Sequence, residues 1–293
     1  MKSVGLVTYS DSPNLSEGDN LLIGPLKQQG YIAQPASWDD YNVEWDKFDL
    51  IILRSCWNYH YKINDFLQWL KNLEKKKIKT WNPLSIIRWN YNKEYIFDLQ
   101  KKHINIVPTI LVKKETNCSL ENICKKNNWN ELVIKPTIGA SAKGVFNVKK
   151  KEIKRMQKKF DKQIEGSDLL IQPLVEEIIS CGEYSFIFLG NNFSHAVMKK
   201  PKQGEFRSNY AFGGSESLIK PDNYLLSQVK TIFEKIDKPL LYARIDGVNI
   251  RNKFFLMELE LIEPYLFFDQ YPQSSYMFAK SLKKLENLHP SGV

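Results

Sequence analysis

Apolar positions fall into short uninterrupted runs separated by longer stretches of helical spacing. "SVGLVTY" (3–9), "YIAQPASW" (31–38) and "DLIILRSCW" (49–57) read as strands. The segments from about Asp19 to Gln29 and from about Ile63 to Lys76 carry apolar residues at i, i+3 and i+4, the spacing of an amphipathic helix. Alternation of this kind predicts a parallel α/β layer, in which ligands bind beyond the carboxyl ends of the strands. Arg54, Ser55, Trp57 and Asn58 fall there.

A proline-broken turn at "WNP" (81–83) and a helix lead into a second region. It reads as strand "VPTILV" (107–112), a helix near 119–127, the stretch "ELVIKPTIGASAKGVFNV" (131–148) and a basic helix near 150–160, a small lobe of its own. Then come "DLLIQPLV", "EYSFIFLG", "NFSHAVMKK", "LYARIDGVNI" and "FFLMELELI", a run of strands with an antiparallel pattern, and a last helix from about Ser274 to Leu288. The expected organisation is an N-terminal α/β domain (1–90), a central lobe (91–168) and a C-terminal lobe built on an antiparallel sheet (169–293).

Charge changes the picture only a little. The chain has 42 Lys and Arg against 33 Asp and Glu, a net +9, which favours anionic partners. The basic runs Lys75–Lys77 and Lys149–Lys162 also suit solvated helix faces. Cys56, Cys118, Cys124 and Cys181 form no CxxC pair, and the four histidines show no zinc spacing. Without a signal-peptide layout or a bilayer-length apolar run, the expectation is a soluble cytoplasmic protein with reduced thiols and no membrane partner.

Three constellations carry chemistry. In "VIKPTIGASAKGV" (133–145) a strand delivers Lys135 and then a small-residue loop with Gly139, Ser141 and Gly144, whose open backbone N–H groups suit phosphates. Val145 follows Gly144 where a P-loop needs Lys, so that motif is absent. In "GEFRSNYAFGG" (204–214), Arg207 and Asn209, with Lys199 and Lys200 upstream, suit an oxyanion. In "MELELIEP" (257–264), strand parity puts Glu258 and Glu260 on one face and Met257 and Leu259 on the other. A turn near Arg251–Lys253 can bring Asp246 beside Glu258. These carboxylates, with no matching local arginine except Arg244, either hold a divalent cation, for which oxygen ligands favour magnesium, or face solvent. Glu263 falls off that face and either caps the strand or lines the substrate pocket.

Taken in order, Lys93, Lys135 with its loop, "IQPLV", Glu183, "MKKPKQGEFRSN…GG", Asp246 and "ELELIEP" resemble the ATP-grasp superfamily, closest to its carboxylate–amine ligases such as bacterial glutathione synthetases and ribosomal-protein glutamate ligases. The likeness covers about 80–268. "LRSCWNYH" and "WNP…WN..K.Y" further resemble a subgroup that includes the cycloserine-forming O-ureidoserine cyclo-ligase. The resemblance implies an ATP-grasp fold behind an α/β N-terminal domain. It implies that Lys93 and Lys135 hold ATP phosphates under a lid loop at 137–145, that Lys200 also contacts ATP, that Gln172, Pro173, Leu174 and Val175 form the adenine hinge, and that Glu183 binds ribose. Arg207 and Asn209 would touch the transferred phosphoryl group, and Asp246, Glu258 and Glu260 would hold magnesium, two ions in all. Relatives commonly carry Asn where this chain has Glu260. The implied reaction is phosphorylation of a carboxylate by ATP and attack of an amine on the acyl-phosphate. A homodimer is in keeping with the relatives.

Arg54, Ser55, Trp57, Arg88 and Arg244 point to a small anionic or amino-acid substrate, and each arginine serves equally well as a structural ion pair. Two other classes remain open to the residues: a nucleotide-binding regulatory or scaffold protein of the same fold, and a nucleic-acid binder. The basic residues lack the interleaved aromatics of common nucleic-acid modules.

Overall fold

The computed structural model describes residues 1–289. Strands β1 (Lys2–Thr8), β2 (Tyr31–Ser37), β3 (Leu50–Leu53) and β4 (Thr80–Trp81) form a parallel sheet in the order β2-β1-β3-β4. β1 and β3 are apolar on both faces because both are covered. The helix Ile63–Lys75 buries Phe66, Trp69, Leu70 and Leu73 on one side, together with Trp38 and Trp45. On the other side Val4, Leu6 and Leu26 share a core with Phe278 and Leu282 of the helix Gln273–Leu288. The single helix expected over 19–29 is two, Glu17–Asn20 and Ile23–Gln28.

A second sheet, in the order β5-β8-β6-β7, comprises β5 (Ile110–Val112), β6 (Glu131–Pro136), β7 (Phe146–Lys149) and β8 (Leu169–Pro173). The helices Leu120–Asn127 and Ile153–Ile164 cover it. β8 is an inner strand of this sheet, so the chain leaves the central lobe after Pro173, whereas the pattern of runs had the last segment beginning at 169.

The third sheet is antiparallel, in the order β11-β10-β9-β12-β13, from β9 (Glu183–Leu189), β10 (Asn192–Lys200), β11 (Ser215–Ile219), β12 (Tyr242–Ile250) and β13 (Lys253–Glu260). One face packs Phe186, Phe188, Ile245 and Leu259 against Leu225, Val229 and Ile232 of the helix Asn223–Glu234. On the opposite face Ile187, Leu189 and Val197 join the core shared with the parallel sheet, and the polar ends of the same strands are left for a site.

The β12–β13 ladder has one irregularity that matters. Asp246 pairs with Glu258, but Gly247 pairs with Leu256, leaving Met257 as an inserted residue. Gly247 permits it, since a Cβ there would collide with the Phe255 carbonyl and the Phe254 ring. The bulge inverts parity: Leu259, Leu256 and Phe254 share the helix-covered core, while Met257 and Phe255 pack with Val175, Ile178 and Val248. Met257 therefore lies on the cavity side with Glu258, contrary to simple alternation.

β13 is an edge strand, yet its outer edge is occupied. Asn90 donates to the Leu259 carbonyl (2.8 Å) and accepts from Leu261 N–H (2.9 Å). The Tyr95 hydroxyl accepts from Leu259 N–H (2.8 Å), and Asn82 donates to the Leu261 carbonyl (2.8 Å). Farther along, Leu256 exchanges backbone bonds with Asn105 and Val107.

Candidate active site

The second and third sheets enclose a cavity of about 850 Å³. Val133, Gln172–Val175, Ile178 and Met257 give it an apolar wall, with Lys135 and Lys93 beside it. The buried Gln172 amide donates to Thr109 Oγ1 (2.8 Å), and Leu174 N–H to the Glu131 carbonyl (2.9 Å), which fixes the connecting segment. Over the lysines lies the loop between β6 and β7. Ser141, Ala142 and Gly144 take left-handed φ of 51, 54 and 74°, and Lys93 Nζ holds the loop through the Gly139 carbonyl. Gly139, Ser141 and Lys143 line the cavity; Gly144 serves the turn, its carbonyl accepting from Gln163 (2.8 Å).

The floor is the polar face of the third sheet. Register sets Lys199 opposite Glu183, Arg244 opposite Glu260 and Asp246 opposite both Glu258 and Ser185. Lys199 Nζ reaches Asp246 (3.1 Å) and Glu183 (3.3 Å). Arg244 pairs with Asp246 (2.9 Å) and with Glu260, and Lys93 meets Glu258 (3.1 Å). Burial works against charge at Asp246, but Arg244 and Lys199 outweigh it and hold the carboxyl at about 2. Burial likewise opposes ionisation of Glu258, and Lys93 and Lys135 outweigh it. At Glu260 burial wins, aided by Glu258 and Asp246 against Arg244, and pushes the carboxyl up to about 7. Lys135 has one long bond, to the Met257 carbonyl (3.5 Å), and burial pulls its ammonium below the ordinary lysine range. It is a half-buried cation with no carboxylate bonded to it among the described residues.

In the 201–214 loop, Arg207 forms a two-point pair with Glu205 (3.0 and 2.7 Å) and lies over the Phe212 ring at 3.5 Å. Arg207 holds the Glu205 carboxyl down at about 2. Ser208 donates to Glu183, and Asn209 lines the cavity.

Several sequence expectations need correction. Lys200 is exposed and Lys199 faces the cavity, because alternate residues of β10 point to opposite faces. Arg54 is fully buried, bonded to Asp19 (2.9 Å) and the Pro264 carbonyl (2.8 Å), and Ser55 donates to Asp19 (2.7 Å). Arg88 makes a two-point pair with Glu74 on the outer surface (2.8 Å each). None of these three lines the cavity, whereas Trp57 and Arg244 do. The floor acids also have more cations than Arg244, since Lys93 and Lys199 arrive from other elements. Among the described residues no three His, Cys, Asp or Glu form a ready metal cage. Asp246 lies beneath the floor, engaged by Lys199, Arg244 and Ser185 (2.7 Å). Asn82, Asn90 and Tyr95, which hold the acid-bearing strand, were quoted in "WNP…WN..K.Y" but had no visible target.

A lysine-lined cleft between two antiparallel sheets, roofed by a small-residue loop and floored by carboxylates, defines an ATP-grasp enzyme. Residues 95–251, more than half of the chain, match the prokaryotic glutathione synthetase, ATP-grasp domain. The chain belongs to that family and is an ADP-forming carboxylate–amine ligase. Residues 4–82 match the N-terminal domain of D-cycloserine synthetase DcsG. The cycloserine biosynthesis protein DcsG of Streptomyces lavendulae is 23% identical over 302 residues, covering 99% of this chain and 100% of that one. A crystal structure of D-cycloserine synthetase DcsG superposes with a TM-score of 0.87 at 22% identity, over 97% of this chain and 99% of that one. D-alanine–D-alanine ligase from Bacillus anthracis complexed with ATP gives 0.66 at 16% identity, over 98% and 100%. No helix among the described residues is long and apolar enough to cross a membrane.

Proposed function

We propose that this ligase activates the carboxylate of a small amino-acid-derived substrate and closes it onto a nitrogen nucleophile, O-ureidoserine being the first candidate. The observation that carries the reading is the composition of the cavity wall. Glu17, Trp57 and Tyr59 come from the segment that matches the DcsG N-terminal domain, and they meet the phosphate-side lysines in one enclosed space.

The apolar wall of Val133, Val175, Ile178 and Met257 takes the base, and Lys93, Lys135 and the 139–143 loop take the phosphates. The under-bonded ammonium of Lys135 fits that role. Magnesium bound largely through phosphate oxygens needs only one or two protein carboxylates, so Glu258 and Glu260 suffice for two ions and Asp246 orients Arg244 and Lys199. When bound, the metal draws charge from the γ-phosphoryl group. A substrate carboxylate oxygen attacks the γ-phosphorus as the bond to the bridging oxygen breaks, giving ADP and an acyl-phosphate. The nitrogen then attacks the carbonyl carbon, phosphate departs with the C–O electron pair, and the nitrogen loses a proton. Arg207, freed from Glu205, and Asn209 stabilise the phosphoryl oxygens. A cytoplasmic ATP pool is the natural nucleotide source.

The test is ADP and phosphate release from magnesium-ATP with O-ureidoserine, serine and alanine of both configurations, and γ-glutamylcysteine with glycine. Turnover with O-ureidoserine above the others is the expected result. Turnover only with the dipeptide pair would overturn the cyclising assignment.

A further inference from the structure

Of the acids that line the cavity, Glu263 alone among the described residues is buried. Glu183, Glu258 and Glu260 each have a lysine or arginine within bonding distance. Glu263 is 9% exposed and lines the same cavity, yet among the described residues no protein donor reaches its carboxylate. A buried carboxylate without a partner costs several kcal/mol, so a sequence retains one where something else supplies the positive charge.

The backbone around it is held with unusual thoroughness for a segment outside regular structure. Four successive carbonyls each accept from a different buried or half-buried side chain. Ile262 O accepts from Tyr242 (2.8 Å), Glu263 O from Trp57 Nε1 (3.0 Å), Pro264 O from Arg54 (2.8 Å) and Tyr265 O from Arg244 (3.1 Å). Each bond comes from an element distant in sequence, and together they fix where the Glu263 side chain emerges. Backbone restraint of this density is how a recognition group is held ready before its ligand arrives.

The lining favours a cation. Glu17, Glu216 and Asp269 line the same cavity, as do Trp57 and Tyr265, aromatic side chains of the kind that attract ammonium. The two cations that feel Glu263, Lys93 and Arg244, are already paired with Glu258 and with Asp246 and Glu260.

We propose that this part of the cavity receives the ammonium group of the amino-acid substrate, with the Glu263 carboxylate as its anchor. The inference rests on the ligase reading and narrows its substrate class to acids that carry a free amino group. Of the two substrate classes that Arg54, Ser55, Trp57, Arg88 and Arg244 left open, a small anion or an amino acid, it favours the amino acid, Arg54 and Arg88 being committed elsewhere. Burial, then Glu260 and Glu258, push the Glu263 carboxyl up to about 8, so near neutral pH it rests largely protonated and an arriving ammonium draws it into the charged form.

Binding is measured by calorimetry on the full chain with magnesium and a non-hydrolysable ATP analogue. The probes are O-ureidoserine, D-serine and L-serine, each compared with its N-acetyl derivative. At least one free amine should bind about tenfold or more tightly than its acetylated form, the scale of one charge-assisted hydrogen bond. Glu263→Gln should weaken that binding by about tenfold or more and Glu263→Asp by less. Affinity for the ATP analogue should stay within about twofold in both variants, which shows them folded. Equal binding of acetylated and free forms overturns the proposal. So does wild-type affinity for the amines in Glu263→Gln, or binding of the ATP analogue with no amine bound. A lack of ADP formation with O-ureidoserine would count against the cyclising substrate alone and leave this result standing.

Discussion

Asn82→Ala tests how the acid-bearing strand is held. Asn82 is fully buried. Its amide donates to the carbonyls of Tyr242 (2.9 Å) and Leu261 (2.8 Å), and its oxygen accepts from Leu241 N–H (2.8 Å). Alanine leaves three buried backbone groups without partners, each costing about 1–3 kcal/mol, and removes little apolar surface. Allowing for partial entry of water, the expected loss is about 3–5 kcal/mol, in the range of a disrupted buried hydrogen-bond network. Urea unfolding followed by tryptophan fluorescence reads it, with Asn42→Ala as the surface comparison, expected within about 0.5 kcal/mol. Because Leu261 and Tyr242 adjoin the floor residues Glu260 and Arg244, ADP formation should fall as well. A loss below about 1 kcal/mol with unchanged turnover would show that the clasp carries no weight.

Other outcomes follow from the same geometry. Lys135→Met should cut ADP formation about a hundredfold or more while leaving the melting temperature level or higher, because it removes a half-buried ammonium held by one long hydrogen bond; undiminished turnover refutes its phosphate role. Asp246→Asn breaks pairs with both Arg244 and Lys199 and should cost about 3–5 kcal/mol of stability as well as activity. Glu258→Gln, at a partly open position, should lower turnover with a melting temperature close to wild type; equal melting of the two variants would contradict the division between floor and foundation. His195 is buried, its Nε2–H donating to the Leu266 carbonyl (3.1 Å), and burial holds it at about 4. Between pH 6.5 and about 4 the unfolded chain takes up a proton that the native ring refuses, so stability falls as pH drops through that window. From pH 7 to 5 the loss is about 2 kcal/mol, and in His195→Gln the urea midpoint should depend less on pH; an unchanged dependence would refute the assignment.

Local periodicity carried much of this architecture. Strand parity correctly joined Glu258 with Glu260 and set Asp246 across from Glu258, because a ladder with a short turn is a local object. It misplaced Met257, since a bulge depends on what Gly247 allows on the partner strand. The same parity, counted along β10, would have selected Lys199 over Lys200. Arg54 and Arg88 found their acids in Asp19 and Glu74, and nothing in the text around an arginine says which distant carboxylate it will meet. Arg244 lies in the hairpin itself, but Lys93 and Lys199 reach the floor from other segments, which a charge count over one hairpin could not anticipate. Asn82, Asn90 and Tyr95 were legible as letters in a motif, while their role appears only when β13, some 170 residues later, lies against them.

Clasping β13 along its outer edge has a consequence for how this chain meets others. An edge strand normally offers a ladder of free N–H and C=O groups to any extended segment that drifts past, which is how sheets recruit strands and how they aggregate. From Leu256 to Leu261 those groups are spent on side chains and a neighbouring backbone segment. The strand that carries the acids is outermost in topology and interior in its bonding. That margin is closed to peptides that bind by strand addition, which leaves the cavity over the face of the sheet, lined by Glu258, Glu260 and Glu263, as the way in.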